Sequence, residues 1–346
     1  MKKVLVCVLS LVLIVCSFVG CGNKGEADYP TKPIQMIVGY AAGGGTDTLA
    51  RTAAQYVDLN GQTMTISNME GANGLIGSME CYNADPDGYT LQCAFPETWG
   101  CLYLTQTTDV ELYKEMTPIC SMVYDVNVLA VSKDSPFNTL EELIAYAKEH
   151  PGELSLASVS TGNVNHLSSL GFADMCGIDI TYVPYESASK ARVALLGGHD
   201  DMWVCQASEL KSVYDSGDVK VLAAAGEERV SFLVDVPTFK ECGYDIVAGL
   251  HRAFYAPPET PDEIVTYLSG QFKQVFDNPE VQTLLKDQLG FNPVWTDGAE
   301  LEQVALDAAD VFALGAGVLL CALFVVTGNK RNDGKRSTPS CYDGFG

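Results

Sequence analysis

A glycine-rich turn, Tyr40-Ala41-Ala42-Gly43-Gly44-Gly45-Thr46-Asp47, has residue types suited to binding an anion. The apolar run Ile34–Val38 before it predicts a strand, and Thr48-Leu49-Ala50-Arg51 after it predicts a helix. This order directs several backbone N–H groups and the positive end of the helix dipole towards one point. The turn matches neither G-x-G-x-x-G nor a P-loop. The sequence therefore predicts an anion site here or, as the alternative, an ordinary tight turn.

Three further turns have similar chemistry. Asn68–Gly77 follows the predicted strand Thr63–Ser67 and again combines small residues with a helix start. Ser158–His166 brings hydroxyl, amide and imidazole groups to the start of another predicted helix, where the helix dipole favours negative charge. Tyr185 follows a strand and can offer its phenol to a cleft. The alternative for Ser158–His166 is an ordinary capped helix with a histidine in its first turn.

The sequence contains no strong signal for catalysis or metal binding. Its four histidines lie in no G-x-S-x-G, H-E-x-x-H or P-loop context. His199-Asp200-Asp201 offers metal-ligand types, but neighbouring residues on one segment rarely converge on one ion. No C-x-x-C pair is present. We expect no metal, no cofactor and no catalytic residue, with an enzyme on the same scaffold as the less favoured alternative.

The chain is strongly acidic. It has 44 acidic and 21 basic side chains and a formal net charge of −23. Binding to nucleic acid needs a basic surface, so this balance argues against a nucleic-acid partner. It suits a solvated protein outside the cytoplasm. An anionic ligand must then be held by local dipoles or by a few cations.

The N-terminus resembles a lipoprotein signal. Lys2 and Lys3 precede the apolar run Val4–Val19, and Gly20 is followed by Cys21. We expect a signal peptide over 1–20, lipidation of Cys21, and a polar tether over 21–28. The mature protein would be an extracytoplasmic lipoprotein of the cell membrane. The alternative is an uncleaved anchor helix.

The C-terminal part contains a second apolar stretch. Residues 311–328 are near the lower length limit for spanning a bilayer, and the tail 329–346 carries Lys330, Arg331, Lys335 and Arg336. This pattern predicts a candidate transmembrane segment with a cytoplasmic basic tail. A buried terminal helix and a fused or frameshifted membrane subunit are the alternatives.

Seven cysteines lie between these ends, an odd number in mostly apolar contexts. We expect buried free thiols rather than a disulfide framework. They are Cys81, Cys93, Cys101, Cys120, Cys176, Cys205 and Cys242.

Between residues 29 and 310, short apolar runs alternate with amphipathic patterns. Strands separated by helices predict an α/β fold with parallel sheets covered on both faces. The length favours two lobes over one core. The predicted strands are Ile34–Val38, Thr63–Ser67, Leu91–Ala94, Ile119–Val123, Val126–Val131, Leu154–Ala157, Ile180–Val183, Met202–Val204, Val219–Ala224 and Arg252–Ala256. The predicted helices are Asp47–Val57, Gly74–Cys81, Thr139–His150, Val164–Met175, Ser187–Leu196, Ala207–Ser216, Pro261–Phe276 and Pro279–Leu289.

An ordered set of short motifs over roughly 29–310 resembles the extracytoplasmic solute receptors of tripartite tricarboxylate transporters, the Bug family. Each motif is weak alone, and their order makes the set specific. They are Tyr29-Pro30-Thr31-Lys32-Pro33-Ile34, the glycine turn with Thr46-Asp47, Asn68…Gly71-Ala72-Asn73-Gly74…Gly77, Asp87-Gly88-Tyr89-Thr90-Leu91, Thr117-Pro118-Ile119, Ser158…Gly162…His166-Leu167, Val183-Pro184-Tyr185, Leu195-Leu196-Gly197-Gly198…Asp201 and Ala256-Pro257…Thr260-Pro261.

The resemblance implies a two-lobed, type II periplasmic-binding-protein fold that closes like a Venus flytrap on a small carboxylate. We expect 29–125 plus 248–310 to form one lobe and 126–247 the other. The implied partners are a monocarboxylate, dicarboxylate or amino acid and the permease subunits of a tripartite transporter. A sensing lipoprotein without a transport role is the alternative.

The resemblance also implies which residues bind the ligand. They are Ala42, Gly43, Gly44, Thr46 and Asp47 on one lobe, and Ser158, Thr161, Gly162, Asn165, His166, Tyr185 and Asp201 on the other.

The chain departs from the family pattern at several positions. Ala42 replaces a common proline, and Glu186-Ser187 stands where a basic residue is usual. An acidic side chain beside the cleft disfavours polyanions, so we expect a monocarboxylate or an amino-acid-like ligand with a cationic part. Arg252 is a cation near a predicted cleft strand, and a surface salt bridge is its alternative role.

Overall fold

The computed structural model describes residues 29–310. Within this range the strands are β1 (Ile34–Val38), β2 (Met64–Asn68), β3 (Thr90–Ala94), β4 (Thr117–Ser132), β5 (Ser155–Val159), β6 (Thr181–Tyr185), β7 (Met202–Gln206), β8 (Val219–Ala224), β9 (Gly249–Ala256) and β10 (Pro293–Asp297). The helices are α1 (Gly45–Tyr56), α2 (Leu75–Tyr82), α3 (Pro96–Leu104), α4 (Leu112–Glu115), α5 (Leu140–Glu149), α6 (Val164–Cys176), α7 (Ala188–Leu196), α8 (Ala207–Asp215), α9 (Asp262–Asp277) and α10 (Pro279–Thr283). A 3-10 turn covers Ala72–Gly74, a π-helix covers Leu284–Gln288, and residues 298–310 are helical.

The strands pair in the order β2-β1-β3-β9-β4-β7-β5-β6, and β8 and β10 also pair with β4. Two parts of this order are parallel: β1 with β2 and β3, and β5 with β6 and β7. The prediction of parallel sheets is confirmed for these parts. Strands β9 and β4 pair antiparallel with their neighbours and join the two parallel parts.

Strand β4 is shared by two sheets. The sequence predicts two strands, Ile119–Val123 and Val126–Val131, but the structure has one strand of 16 residues. Its pairing with β9 extends to Val126, and its pairing with β7 begins at Asn127. The prediction of two strands was wrong because the intervening Tyr124 and Asp125 interrupt the apolar run while their backbone remains in the ladder.

Each sheet has its own core, which gives the fold its two lobes. Around β5, β6, β7 and β8 a cluster of buried side chains includes Trp203, Leu156 and Phe172. Around β1, β3, β9 and β10 another cluster includes Phe254 and Phe272, whose rings stack 4.3 Å apart. We call these parts the second and the first lobe. The predicted α/β fold with two lobes is thereby confirmed, and the predicted lobe bounds stay a prediction.

Three helical segments were missed by the sequence analysis. Seven of the nine residues of α3 are buried, so this helix shows no amphipathic pattern. The short α4 is too brief for a periodic signal. The helix over 298–310 buries Leu301, Ala305 and Ala309 against the first lobe. The predicted helix Pro279–Leu289 is in fact α10 followed by the π-helix.

Six of the seven cysteines between the two ends are buried free thiols, and Cys242 is partly exposed. This agrees with the prediction. Over residues 29–310 no helix has the length and apolar character that a bilayer crossing requires. The signal peptide 1–20, Cys21, the tether 21–28, the candidate transmembrane segment 311–328 and the tail 329–346 lie outside the described residues.

Candidate functional site

A cavity of about 780 Å³ lies between the two lobes. Most of its walls come from segments at the ends of strands: residues 39–46 after β1 and 70–74 after β2 on the first lobe, and 159–161, 163–165, 184–189, 206 and 209 at the ends of β5, β6 and β7 on the second. The carboxyl ends of parallel strands are where open α/β sheets bind ligands. Both parallel parts of the fold therefore direct their loops into one space.

The glycine turn after β1 forms one wall of the cavity. Helix α1 begins at Gly45, and its N-cap Gly44 supplies no side-chain hydrogen bond. The first backbone N–H groups of a helix have no partner within the helix. The N–H groups at Gly45 and Thr46 are thus available at the positive end of the α1 dipole. Of the predicted residues on this lobe, Ala42, Gly43, Gly44 and Thr46 line the cavity.

Asp47, also predicted as a ligand residue, is not part of the cavity wall. Its buried carboxylate accepts hydrogen bonds from Gly43 N at 2.8 Å, Arg51 Nε at 2.9 Å and Asn68 Nδ2 at 3.0 Å. Burial disfavours its charge, but the bonds from Arg51, Gly43 and Asn68 outweigh burial and hold its pKa below the ordinary value. Asp47 therefore fixes the shape of the turn that presents the N–H groups.

The turn after β5 lies opposite. Thr161 and Asn165 line the cavity, together with Asn163, whose side chain caps α6 by accepting from His166 N at 3.0 Å. Ser158, Gly162 and His166 were predicted here but are not part of the wall. Ser158 Oγ donates to Val204 O at 2.8 Å inside the lobe.

The imidazole of His166 faces its own turn. Its Nδ1 accepts from Gly162 N at 3.2 Å, and its ring centroid is 4.4 Å from that of Tyr182. Burial lowers the pKa of His166, which favours the neutral ring that this hydrogen bond requires. His166 thus braces the turn as a neutral acceptor.

Tyr185 and Asp201, the remaining predicted residues, are separated. Tyr185 lines the cavity, and its hydroxyl donates to Asp200 Oδ2 at 2.5 Å. The carboxylate of Asp201 accepts from Ser155 N and Ser155 Oγ at 2.8 Å. Ser155 is the first residue of β5, whereas the cavity lies beyond its last residue. Asp201 is therefore at the opposite edge of the second sheet.

Arg252 on β9 lies at the cavity as a buried ion pair rather than as a surface salt bridge. Its Nε and Nη2 donate to Asp125 Oδ2 at 3.0 and 2.7 Å, and its Nη1 donates to Thr46 Oγ1 at 2.8 Å. A Cβ at position 45 would lie 2.7 Å from Nη2, so Gly45 makes room for the guanidinium. The arginine links the start of α1 to the strand shared by both lobes.

Glu209 on α8 was not predicted as a site residue. It lines the cavity, and its Oε1 is 3.9 Å from Arg252 Nη2. Burial raises the pKa of Glu209 to about 7, against the opposing charge of Arg252 and with the added repulsion of Asp125. The sequence does indicate that Glu209 lies in the first turn of a helix that follows a buried strand. An acidic residue at that position usually only stabilises the helix start, so this pattern alone does not predict a ligand-binding residue.

Glu186, the acidic residue that departs from the family pattern, also lines the cavity. It is 82% exposed and forms an ion pair with Lys190 one helical turn later. Lys190 compensates its charge at the cavity mouth. Glu186 therefore does little to repel a polyanion, and the more buried Glu209 is the acidic side chain that disfavours one.

The sequence model of the family described as "Tripartite tricarboxylate transporter family receptor" matches residues 49–312. The chain belongs to this family. A curated relative, the "UPF0065 protein in gbd 5'region" of Cupriavidus necator, is 32% identical over 294 residues, which cover 82% of this chain and 86% of the relative. The predicted resemblance is confirmed.

Two solved structures with the same fold each contain a small dicarboxylate. MatC (Rpa3494) from Rhodopseudomonas palustris "with bound malate" is 27% identical with a TM-score of 0.73, over 83% of this chain and 99% of that protein. Rpa4515 of R. palustris "with adipate" is 26% identical with a TM-score of 0.76, over 84% and 97%. This tripartite tricarboxylate transporter receptor is thus a periplasmic-binding-protein-like, solute-binding receptor.

Proposed function

We propose that this receptor is an extracytoplasmic lipoprotein that captures a small carboxylate in its interlobe cavity and delivers it to a tripartite tricarboxylate-type transporter. The observation that carries the proposal is the uncapped start of α1, which presents backbone N–H groups to a cavity shared by both lobes. Helix starts of this kind favour carboxylates through both hydrogen bonds and the dipole.

The cavity wall suits such a ligand. Its volume of about 780 Å³ is in the range of small-molecule sites. We assign the carboxylate contacts to Ala42, Gly43, Gly44 and Thr46 on the first lobe. On the second lobe, Thr161 and Asn165 are the proposed carboxylate contacts, and Tyr185 contributes its ring to the wall because its hydroxyl already donates to Asp200. Hydrogen bonds to a charged group contribute roughly 1.5–3 kcal/mol each, so a few of them suffice for specific capture.

Delivery and anchoring rest on the family and on the sequence ends. The family is a transporter receptor family, and the related proteins MatC and Rpa4515 have structures with malate and with adipate. The basic and apolar N-terminus before Cys21 supports lipidation. No catalytic step is part of this function.

Titration calorimetry of the protein with monocarboxylates, dicarboxylates and amino acids tests capture. We expect saturable binding of at least one ligand, and the Ala42→Asp variant should weaken it at least tenfold because a carboxylate would then occupy the α1 start. Ala299→Asp is the matched control, since Ala299 is exposed and remote from the cavity wall. If no carboxylate bound the wild type, the proposed function would be wrong.

Cellular experiments test anchoring and delivery. Cells grown with radiolabelled palmitate should label the protein, and the Cys21→Ser substitution should abolish this labelling. Deletion of the gene should abolish uptake of the ligand found by calorimetry. Normal uptake without the receptor would contradict delivery and leave sensing as its role.

A further inference from the structure

Glu209 has an unsatisfied carboxylate oxygen at the cavity. Its Oε2 accepts only a long hydrogen bond, 3.4 Å, from Gln206 N. Among the described residues, no donor lies within hydrogen-bond distance of Oε1, and the nearest cation is Arg252 Nη2 at 3.9 Å. The side chain is 19% exposed, and the cavity is what it faces.

The charge of Arg252 does not neutralise that of Glu209, because the guanidinium is already paired with Asp125. Asp125 accepts two hydrogen bonds from the guanidinium and one from Ser208 Oγ at 2.6 Å, and both Arg252 and Asp125 are 1% exposed in the side chain. The group of Arg252, Asp125 and Glu209 therefore carries one excess negative charge when both carboxylates are ionised, and Arg192 opposes this charge only from beyond ion-pair distance. Such an excess is costly in a partly dry site unless a cation offsets it.

The same guanidinium places a site for positive charge beside a site for negative charge. Its Nη1 contacts Thr46 at the start of α1, and its Nη2 approaches Glu209. The two Nη atoms belong to one planar group, so the helix start and the free carboxylate oxygen are close neighbours. A ligand that carries a carboxylate and an ammonium on the same carbon has the two charges that these neighbouring groups favour.

We propose that Glu209 determines ligand specificity by receiving the ammonium group of an α-amino acid whose carboxylate lies at the start of α1. This inference rests on the proposed capture of a carboxylate. A ligand without the ammonium would place negative charge near Glu209 without compensation. The receptor therefore discriminates between an amino acid and its desamino analogue.

Calorimetry at pH 8 with matched ligand pairs tests the inference: L-aspartate against succinate, L-glutamate against glutarate, and L-alanine against propionate. We expect the wild type to bind at least one amino acid tenfold or more tightly than its desamino partner. Glu209→Gln should reduce that ratio towards one, while Glu209→Asp, which keeps the charge, should retain part of it. Glu302→Gln is the matched control because Glu302 is exposed and is not part of the cavity wall.

A urea titration confirms that each variant is folded before binding is compared. A wild type that prefers the desamino partners would overturn the inference, and so would an unchanged ratio in Glu209→Gln. If no ligand of either kind bound the wild type, the proposed function itself would fail, and the specificity role with it.

Discussion

The side-chain amide of Asn73 donates a hydrogen bond to the backbone carbonyl of Thr161 at 3.3 Å, across the cavity from one lobe to the other. Asn73 lies in the turn after β2, and Thr161 lies in the turn after β5. The same region brings Thr105 of the first lobe to 3.4 Å from a Cβ built on Gly162. The two lobes thus touch at the rim of the cavity, and this contact stabilises the arrangement in which both walls face the ligand.

Removing the Asn73 side chain should weaken ligand binding without unfolding the protein. Asn73 has a φ of 55°, so Asn73→Gly removes the amide and keeps the backbone conformation accessible. One net hydrogen bond contributes about 0.5–1.5 kcal/mol, so we expect roughly a 2- to 10-fold loss of affinity by calorimetry.

Asn60→Gly is the matched control. Asn60 also has a φ of 55°, and its amide donates to Tyr29 O at 3.2 Å within the first lobe. It should leave the affinity unchanged. Equal losses in the two variants would show that the bond across the cavity has no special role.

The cavity turns were predictable because local rules govern them. Glycine at the helix start and small residues after β2 indicate strand-turn-helix junctions from spacing alone, and parallel pairing then places both turns at one edge. Most helix ends agree within one or two residues with the predictions. For α5, Thr139 caps the helix by accepting from Glu142 N, as its sequence pattern indicates.

The charged group of the cavity was not predictable in the same way. Arg252, Asp125 and Glu209 are far apart in the chain, and their proximity depends on antiparallel pairing of β4 with β9 and on the seating of α8. Local patterns carry no information about such contacts. The separation of Asp201 from the cavity also depends on strand direction, because that residue precedes β7 at the opposite sheet edge.

Gly39→Ala should destabilise the protein, because two cavity turns pack through their backbones. A Cβ at position 39 would lie 2.8 Å from both the Cα and the carbonyl oxygen of Gly74, and neither atom can move as a flexible side chain does. Overpacking of this kind costs about 1–3 kcal/mol. We expect this decrease in the free energy of unfolding by urea titration.

Gly171→Ala is the control for the same chemical change. Position 171 lies within α6 and has no neighbouring heavy atom within 4 Å of the added Cβ. Alanine is the better helix former, so this variant should gain about 0.5–1 kcal/mol. A Gly39→Ala protein as stable as the wild type would show that the two turns can separate.

Arg252→Met should be strongly destabilising, since it leaves the charge of Asp125 buried without its partner. Loss of one member of a buried pair typically costs about 3–5 kcal/mol. The double variant Arg252→Met with Asp125→Asn should recover part of this loss by removing the orphaned charge. Arg229→Met breaks an exposed pair with Glu241 and should cost less than about 1 kcal/mol. Similar losses in the two single variants would contradict a buried role for Arg252.

Glu209 should make stability fall as pH rises towards 8. Burial raises its pKa from the ordinary value of 4.5 to about 7. The negative charge of Asp125 adds to this shift, and the positive charges of Arg252 and Arg192 oppose it. Between these two values the folded protein holds a proton that the unfolded chain has released, so the free energy of unfolding decreases as pH rises through this window.

Comparison with Glu209→Gln isolates this effect from other titrating groups. His166, whose pKa burial lowers, contributes stability in the opposite direction, but it does so equally in both proteins. We expect Glu209→Gln to gain stability relative to the wild type between pH 5 and pH 8, as measured by urea titrations at several pH values.

The pH dependence of ligand binding should follow the charge of Glu209. An ammonium group beside Glu209 favours its ionised form, so an amino acid should bind more weakly as pH falls below 7, whereas a desamino analogue should bind more tightly. If the difference in free energy of unfolding between the wild type and Glu209→Gln did not change with pH, Glu209 would be ionised throughout and its charge would already be compensated within the cavity.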